Sequence, residues 1–200
     1  MRTNANRRVL RGWLGAVIAL AVALLSSVAS ATVMVEIPIE RLTRESDLIV
    51  HGRVTRTGTR MVQEGAVFEP HTASRLEVWA TLRGPAQVDV VIDEIGGVDA
   101  QGSNWIVGTP RYRVNEEVVV FLRRLPSGAY RTHGMAQGHF EVLQGVPGVD
   151  AVVVRDMQTL GMASWHQGQM SVLPGGVATM RLEAFVGYIR QLSSAVGGAP

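Results

Sequence analysis

The sequence predicts a mainly β protein built as a small barrel of the Greek-key type, with a short N-terminal helix and a C-terminal amphipathic helix packed on it. Three observations predict it. Between residues 47 and 155 the apolar side chains recur mostly at every second position, the spacing of half-buried strands. Gly- and Pro-containing breaks interrupt that alternation at short intervals, as in sandwiches and barrels. After residue 179 the period changes to that of a helix.

The elements follow in order. Residues 33–37 read as a short strand. Pro38 suits the first position of a helix, and residues 39–46 (IERLTRES) give one whose apolar contacts are Ile39 and Leu42. In residues 47–55 (DLIVHGRVT), Leu48, Val50, Gly52 and Val54 share one strand face, with His51, Arg53 and Thr55 on the other. Residues 58–71 are polar and irregular and read as a loop or ragged hairpin. Residues 72–82 alternate most cleanly. Ser74, Leu76, Val78, Ala80 and Leu82 point one way, and Arg75, Glu77, Trp79 and Thr81 the other. Arg83-Gly84-Pro85 turns the chain into a strand over 87–95, so that the two form an antiparallel hairpin ending at Gly96-Gly97.

Residues 98–116 hold Gly, Asn and Pro around the apolar island Trp105-Ile106-Val107. The continuous apolar run EVVVFL (117–122) suits a central strand. Shorter strands follow at 129–133, 138–143 and 151–155. Residues 156–178, with Met157, Met162, Trp165 and Met170, read as a long irregular segment. Thr179 is placed to cap a helix whose apolar face is Leu182, Phe185, Val186, Ile189 and Leu192.

The first 31 residues stand apart. Arg2, Arg7, Arg8 and Arg11 precede an apolar run (13–25) and a small-residue stretch ending Ala29-Ser30-Ala31. That order is the pattern of a secretory signal cleaved between Ala31 and Thr32, and the apolar run is shorter than the about 20 residues of a membrane span. The expected product is a single domain over 32–200, periplasmic or secreted, touching the membrane only through its leader during export. The leader holds four of the 19 basic residues and none of the 17 acidic ones, so residues 32–200 carry 15 Arg against 17 acids, a net of −2. Without a basic excess, nucleic acid is not an expected partner. There is no cysteine, which removes disulfides, thiolate metal sites and cysteine nucleophiles.

No motif commits the chain to a reaction, and no cofactor is expected. The histidines are His51, His71, His133, His139 and His166, with neither H-x-x-x-H nor H-E-x-x-H among them. His139 and Glu141 share a strand face, and with His133 they form the one weak metal candidate. Such a set lacks the closed ligand shell that zinc needs and reads more simply as outward polar positions. Asp89, Asp93, Glu94 and Asp99 crowd the Gly96-Gly97 region. Asp89 and Asp93 are about 13 Å apart by strand rise, too far to share an ion, and the group reads as solvated charge. There is no G-x-S-x-G. Gly134-Met135-Ala136-Gln137-Gly138 leads into a strand rather than a helix, so it reads as a tight connection and not a phosphate loop. Trp79, Trp105 and Trp165 lie where they can anchor an interface or be covered by the helix or the long loop.

SDLIVHGRV (46–54), the alternating strand closed by LRGPAQVDVVI (82–92), GTPRYRVNEEVVVFLRR (108–124) and YRTHGMAQGHFEV (130–142) occur in this order. The pattern resembles a group of exported bacterial proteins of unassigned function. More distantly it is similar to the netrin-like modules, including tissue inhibitors of metalloproteinases. The resemblance covers residues 36–142 and implies an OB-like barrel with helices at its side. It implies no inhibitory chemistry, because those inhibitors reach a protease metal through an N-terminal cysteine that this chain lacks. The expected function is a non-catalytic binding module acting on another exported protein. The alternatives are a small metal-assisted hydrolase using His133, His139 and Glu141, or a barrel that binds lipid or a small ligand.

Overall fold

The computed structural model describes residues 32–99, 102–146, 149–166 and 168–197. The predicted leader, with Ala31, lies outside the described residues. Thr32 opens the first strand, β1 (Thr32–Val35). Helix α1 (Ile39–Glu45) follows, then β2 (Leu48–Glu64), β3 (Val67–Arg83), β4 (Asp89–Asp99), β5 (Gly102–Trp105), β6 (Glu117–Arg124) and β7 (Tyr130–Thr132). A 3-10 turn (Met135–Gly138) leads to β8 (His139–Leu143), β9 (Val152–Asp156), β10 (Leu160–His166), β11 (Gln169–Pro174), β12 (Val177–Arg181) and helix α2 (Leu182–Gly197). The fold is mainly β and barrel-like. One sheet runs β12-β9-β8-β6-β2-β3-β4-β5, with β7 pairing both β4 and β6, and a three-stranded sheet runs β1-β10-β11.

The run at β6 is central, as its composition predicts. Val118 through Leu122 are all buried, and they alternate between two cores. Val118, Val120 and Leu122 join Leu48, Val50, Val54, Leu76 and Ile92 in the first core, enclosed by β2, β3, β4, β6 and β7. Val119 and Phe121 join Ile49, Phe140, Val142 and Val153 in the second, beneath α1 and α2. Leu42 of α1 and Phe185 and Ile189 of α2 fill that space, and Phe140 stacks against Phe185 at 4.6 Å between ring centres. The apolar face predicted for the C-terminal helix is the face that packs.

Four expectations are corrected. First, Ser74 to Leu82 do not share one face. Leu76 and Val78 belong to the first core, Ala80 and Leu82 to the second. His51 pairs with Ala80 but Gly52 with Val78, which leaves Trp79 as an extra residue. A bulge of this kind reverses the alternation. Gly52 permits it, since a Cβ there would lie 2.0 Å from the Glu77 carbonyl oxygen.

Second, residues 58–71 are not a loop. They are the outer arms of the β2–β3 hairpin, in register down to Glu64↔Val67. Backbone pairing needs no apolar face, and hydroxyl pairs such as Thr57–Ser74 (3.1 Å) and Thr59–Thr72 (3.1 Å) tie the strands.

Third, the described residues of 156–178 hold the end of β9, then β10, β11 and the start of β12, rather than an irregular segment. β10 runs parallel to β1, with Met34 opposite Met162, a partner too distant in sequence for local patterning to reveal. Thr179 caps nothing: it lies in β12 opposite Val154, and the helix begins at Leu182. Fourth, Asp93 and Glu94 are buried, not solvated.

Candidate functional site

The residues singled out in the sequence separate into several places. Trp105 and His139 come together. They line a cleft of about 530 Å³ with residues 106–111, Ala136, Asp156 and Thr159, within the usual range for small-ligand sites. Gly108 holds a positive φ of 92° at its floor, against Met34 and Leu160. Arg111 lies over the Trp105 ring at 4.9 Å.

A polar chain runs inward from this cleft. His139 Nε2 approaches Glu116 Oε1 at 3.3 Å. Both atoms are sealed from solvent, and neither has a well-formed hydrogen bond among the described residues. Burial opposes ionisation of Glu116. The contact and charge of His139, the Arg113 N–H that donates to Glu116 at 2.7 Å, and the Arg113 charge outweigh it and hold the carboxyl below its ordinary pKa. Tyr112 meets the His139 ring edge-on at 5.1 Å, and its hydroxyl pairs with Thr132 Oγ1 at 2.6 Å. The Thr132 N–H donates to Glu94 at 2.8 Å. Burial raises the Glu94 carboxyl to about 7, against the hydrogen bonds from Thr132 and the charges of Arg131 and His139. This acid is therefore partly protonated near neutrality.

Asp93, the next residue, faces the opposite way into a charged cluster. Its carboxylate accepts from Arg60 at 2.8 Å and pairs with His71 Nδ1 at 2.8 Å, while His71 Nε2 meets Glu69 at 3.3 Å. These contacts fasten the hairpin arm to β4.

The weak metal set is not assembled. His133 meets Ser46 Oγ at 3.2 Å and Glu45 at 3.8 Å beside α1, Glu141 pairs with Arg113 at 2.9 Å, and His139 turns to Glu116. Among the described residues no three His, Asp or Glu side chains are placed to hold a metal. Trp79 is 43% exposed but engaged, with His51 against its edge at 5.5 Å and Arg53 over its face at 4.8 Å.

Trp165 is different. It is 62% exposed and sits at the end of an apolar face that sequence reading missed. In the three-stranded sheet, Val33 and Val35 lie opposite Gly161 and Ala163, which lie opposite Pro174 and Val172, and Trp165 lies opposite Met170. Val33, Val35, Trp165, Met170 and Val172 are all exposed on this face. Val33 and Val172 meet over Gly161, at 3.3 and 3.4 Å from where its Cβ would stand. The other face turns Met34 and Leu160 onto Gly108. The available signal was the alternation of Val33 and Val35 with that of the 160s, which shows only once β1 and β10 are paired.

No protein-family model, curated protein or solved structure matches this chain.

Proposed function

We propose that this chain is an exported, non-catalytic binding module that docks a partner protein on the uncovered face of β1-β10-β11. The carrying observation is that five large apolar side chains, Trp165 among them, lie together in solvent on one side of a sheet. Contiguous apolar surface of this kind marks interaction sites in soluble proteins, and a tryptophan at its margin is the residue type most enriched among binding hot spots.

The barrel is of the OB type on this reading. The ring of pairings β2-β3-β4-β7-β6, returning from β6 to β2, supports it, as does the parallel contact of β4 with β7 at Ile92↔Tyr130. Export rests on the leader pattern of residues 1–31. The partner is another exported protein, and the net charge of −2 over residues 32–200 argues against nucleic acid.

Two measurements test the proposal. N-terminal sequencing of the protein recovered outside the cytoplasm should begin at Thr32; recovery only inside it would remove the export reading. A photo-crosslinking residue at Trp165 or Val172 in the native cell should give one defined adduct with an exported protein, and the same residue at Arg190 on α2 should not. Equal labelling at all three positions, or none, refutes the docking face.

A further inference from the structure

One side chain beneath the helices breaks the rule its neighbours keep. Val153 and Arg155 project from the same face of β9, and Val153 enters the second core. Arg155 takes the next inward position. Its Nε is sealed from solvent and meets no hydrogen-bond partner among the described residues. The other half-buried arginines are satisfied: Arg83 donates to the Ser46 and Arg44 carbonyls, and Arg131 to the Asp93 carbonyl. Phe140 lies against the Arg155 guanidinium at 5.5 Å, which compensates part of its lost hydration. Burial lowers the Arg155 pKa. The field of Glu36 acts the other way, yet no ion pair joins the two. A local rule broken without a matching partner is what functional positions show.

The guanidinium borders a pocket of about 180 Å³ between α2 and the β8-β9-β12 end of the sheet. Ile39, Phe140, Val153, Met180 and Phe185 make most of its wall. We propose that this pocket binds a free short-chain monocarboxylate, with its carboxylate on Arg155 and its alkyl chain against Phe140, Val153 and Phe185. The planar donor fork of an unpaired guanidinium matches a carboxylate. The apolar walls match an alkyl chain. The volume falls below the about 300 Å³ at which drug-sized ligand sites begin, which limits the chain length. Acids acting on pocket residues limit the charge. Glu36 bears on Arg155, and Glu40 accepts the hydroxyl of Tyr188, itself a pocket residue. With one cation and these two acids, a monoanion fits better than a phosphate dianion. This site is separate from the docking face and does not depend on it.

Calorimetric titration of the full chain with octanoate, octanol, octyl phosphate and phosphatidylglycerol vesicles tests the assignment. Octanoate should bind at one site, at least about tenfold tighter than octanol, and the vesicles should give no Arg155-dependent signal. Arg155→Met should abolish the preference for octanoate while octanol still binds, without lowering the melting temperature. Met180→Trp, made from the exposed strand β12, should block both ligands. Glu36→Gln should tighten octanoate several-fold by removing the opposing field. Equal affinity for octanoate and octanol, or no octanoate binding by the folded chain, overturns the proposal. So does Glu36→Gln lowering the melting temperature with affinity unchanged, since Glu36 would then be the internal partner of Arg155. Tighter binding of octyl phosphate, or vesicle binding lost in Arg155→Met, would move the site to a lipid headgroup and likewise refute the free acid.

Discussion

Two apolar sheet faces meet different ends in this molecule. The face carrying Ile49, Val119, Phe121, Phe140 and Val153 is roofed by α1 and α2. The face carrying Val33, Val35, Trp165, Met170 and Val172 is exposed. Both arise from alternating side chains, but among the described residues only the first has an amphipathic helix to lie on it. Apolar alternation therefore fixes which side of a strand prefers to leave water. Whether the covering element is within the chain depends on what else the chain encodes.

The sharpest way to break this comparison is to empty the roofed side. Phe121→Ala should cost about 3–5 kcal/mol in urea denaturation, because a fully buried aromatic leaves a cavity; a smaller loss would mean that the helices settle into the gap. Glu94→Gln comes next and tests the buried acid beside the first core. The folded carboxyl has its pKa raised to about 7 from an ordinary 4.5, so the folded state holds the proton more tightly than the unfolded chain. Stability is then greatest below the unfolded value and declines as pH rises through the folded one, by on the order of 3 kcal/mol at pH 8. The amide keeps an acceptor for the Thr132 N–H and carries no charge, so the variant should be the more stable protein at pH 8 and show a flatter profile. A parallel pH profile for the two proteins would place the acid in contact with water.

Gly52→Ala should cost about 1–3 kcal/mol by overpacking, since its Cβ would strike the Glu77 carbonyl. Thermal melting reads this directly, and an unchanged melting temperature would show that the bulge can shift. The smallest expected effect sharpens the comparison from the open side. Trp165→Ser should change stability by no more than about 0.5 kcal/mol while removing the adduct formed at Val172. A large loss of stability would mean that the tryptophan supports the chain itself.

The legible parts of the fold were those with local signatures. The buried run of β6, the turn between β3 and β4, the short helix after Pro38 and the five-residue apolar face of α2 can all be read from neighbours in sequence. The outer hairpin arms could not, because their strands are held by backbone and hydroxyl pairs that leave no apolar period. The parallel pairing of β1 with β10 joins segments far apart in sequence, and the exposed face exists only after they pair. The site was legible in pieces. Trp105, His139 and Glu94 were identifiable as residue types worth following, but Glu116, Tyr112 and Thr132 were not. Their significance comes from burial, which a strand pattern does not reveal when adjacent residues such as Asp93 and Glu94 are both enclosed. Arg155 ended the strand read over 151–155, and nothing local in the sequence marks it as buried.

The surplus residue at Trp79 acts as a phase shifter within one continuous strand. Upstream of it, β3 feeds its even-numbered side chains to the barrel interior; downstream, the same parity serves the helices. Substitutions at this position leave that switch in place, whereas a one-residue deletion would redirect Ala80 and Leu82 together and expose both cores to the wrong partners. In this stretch the count of residues carries as much structural information as their identity.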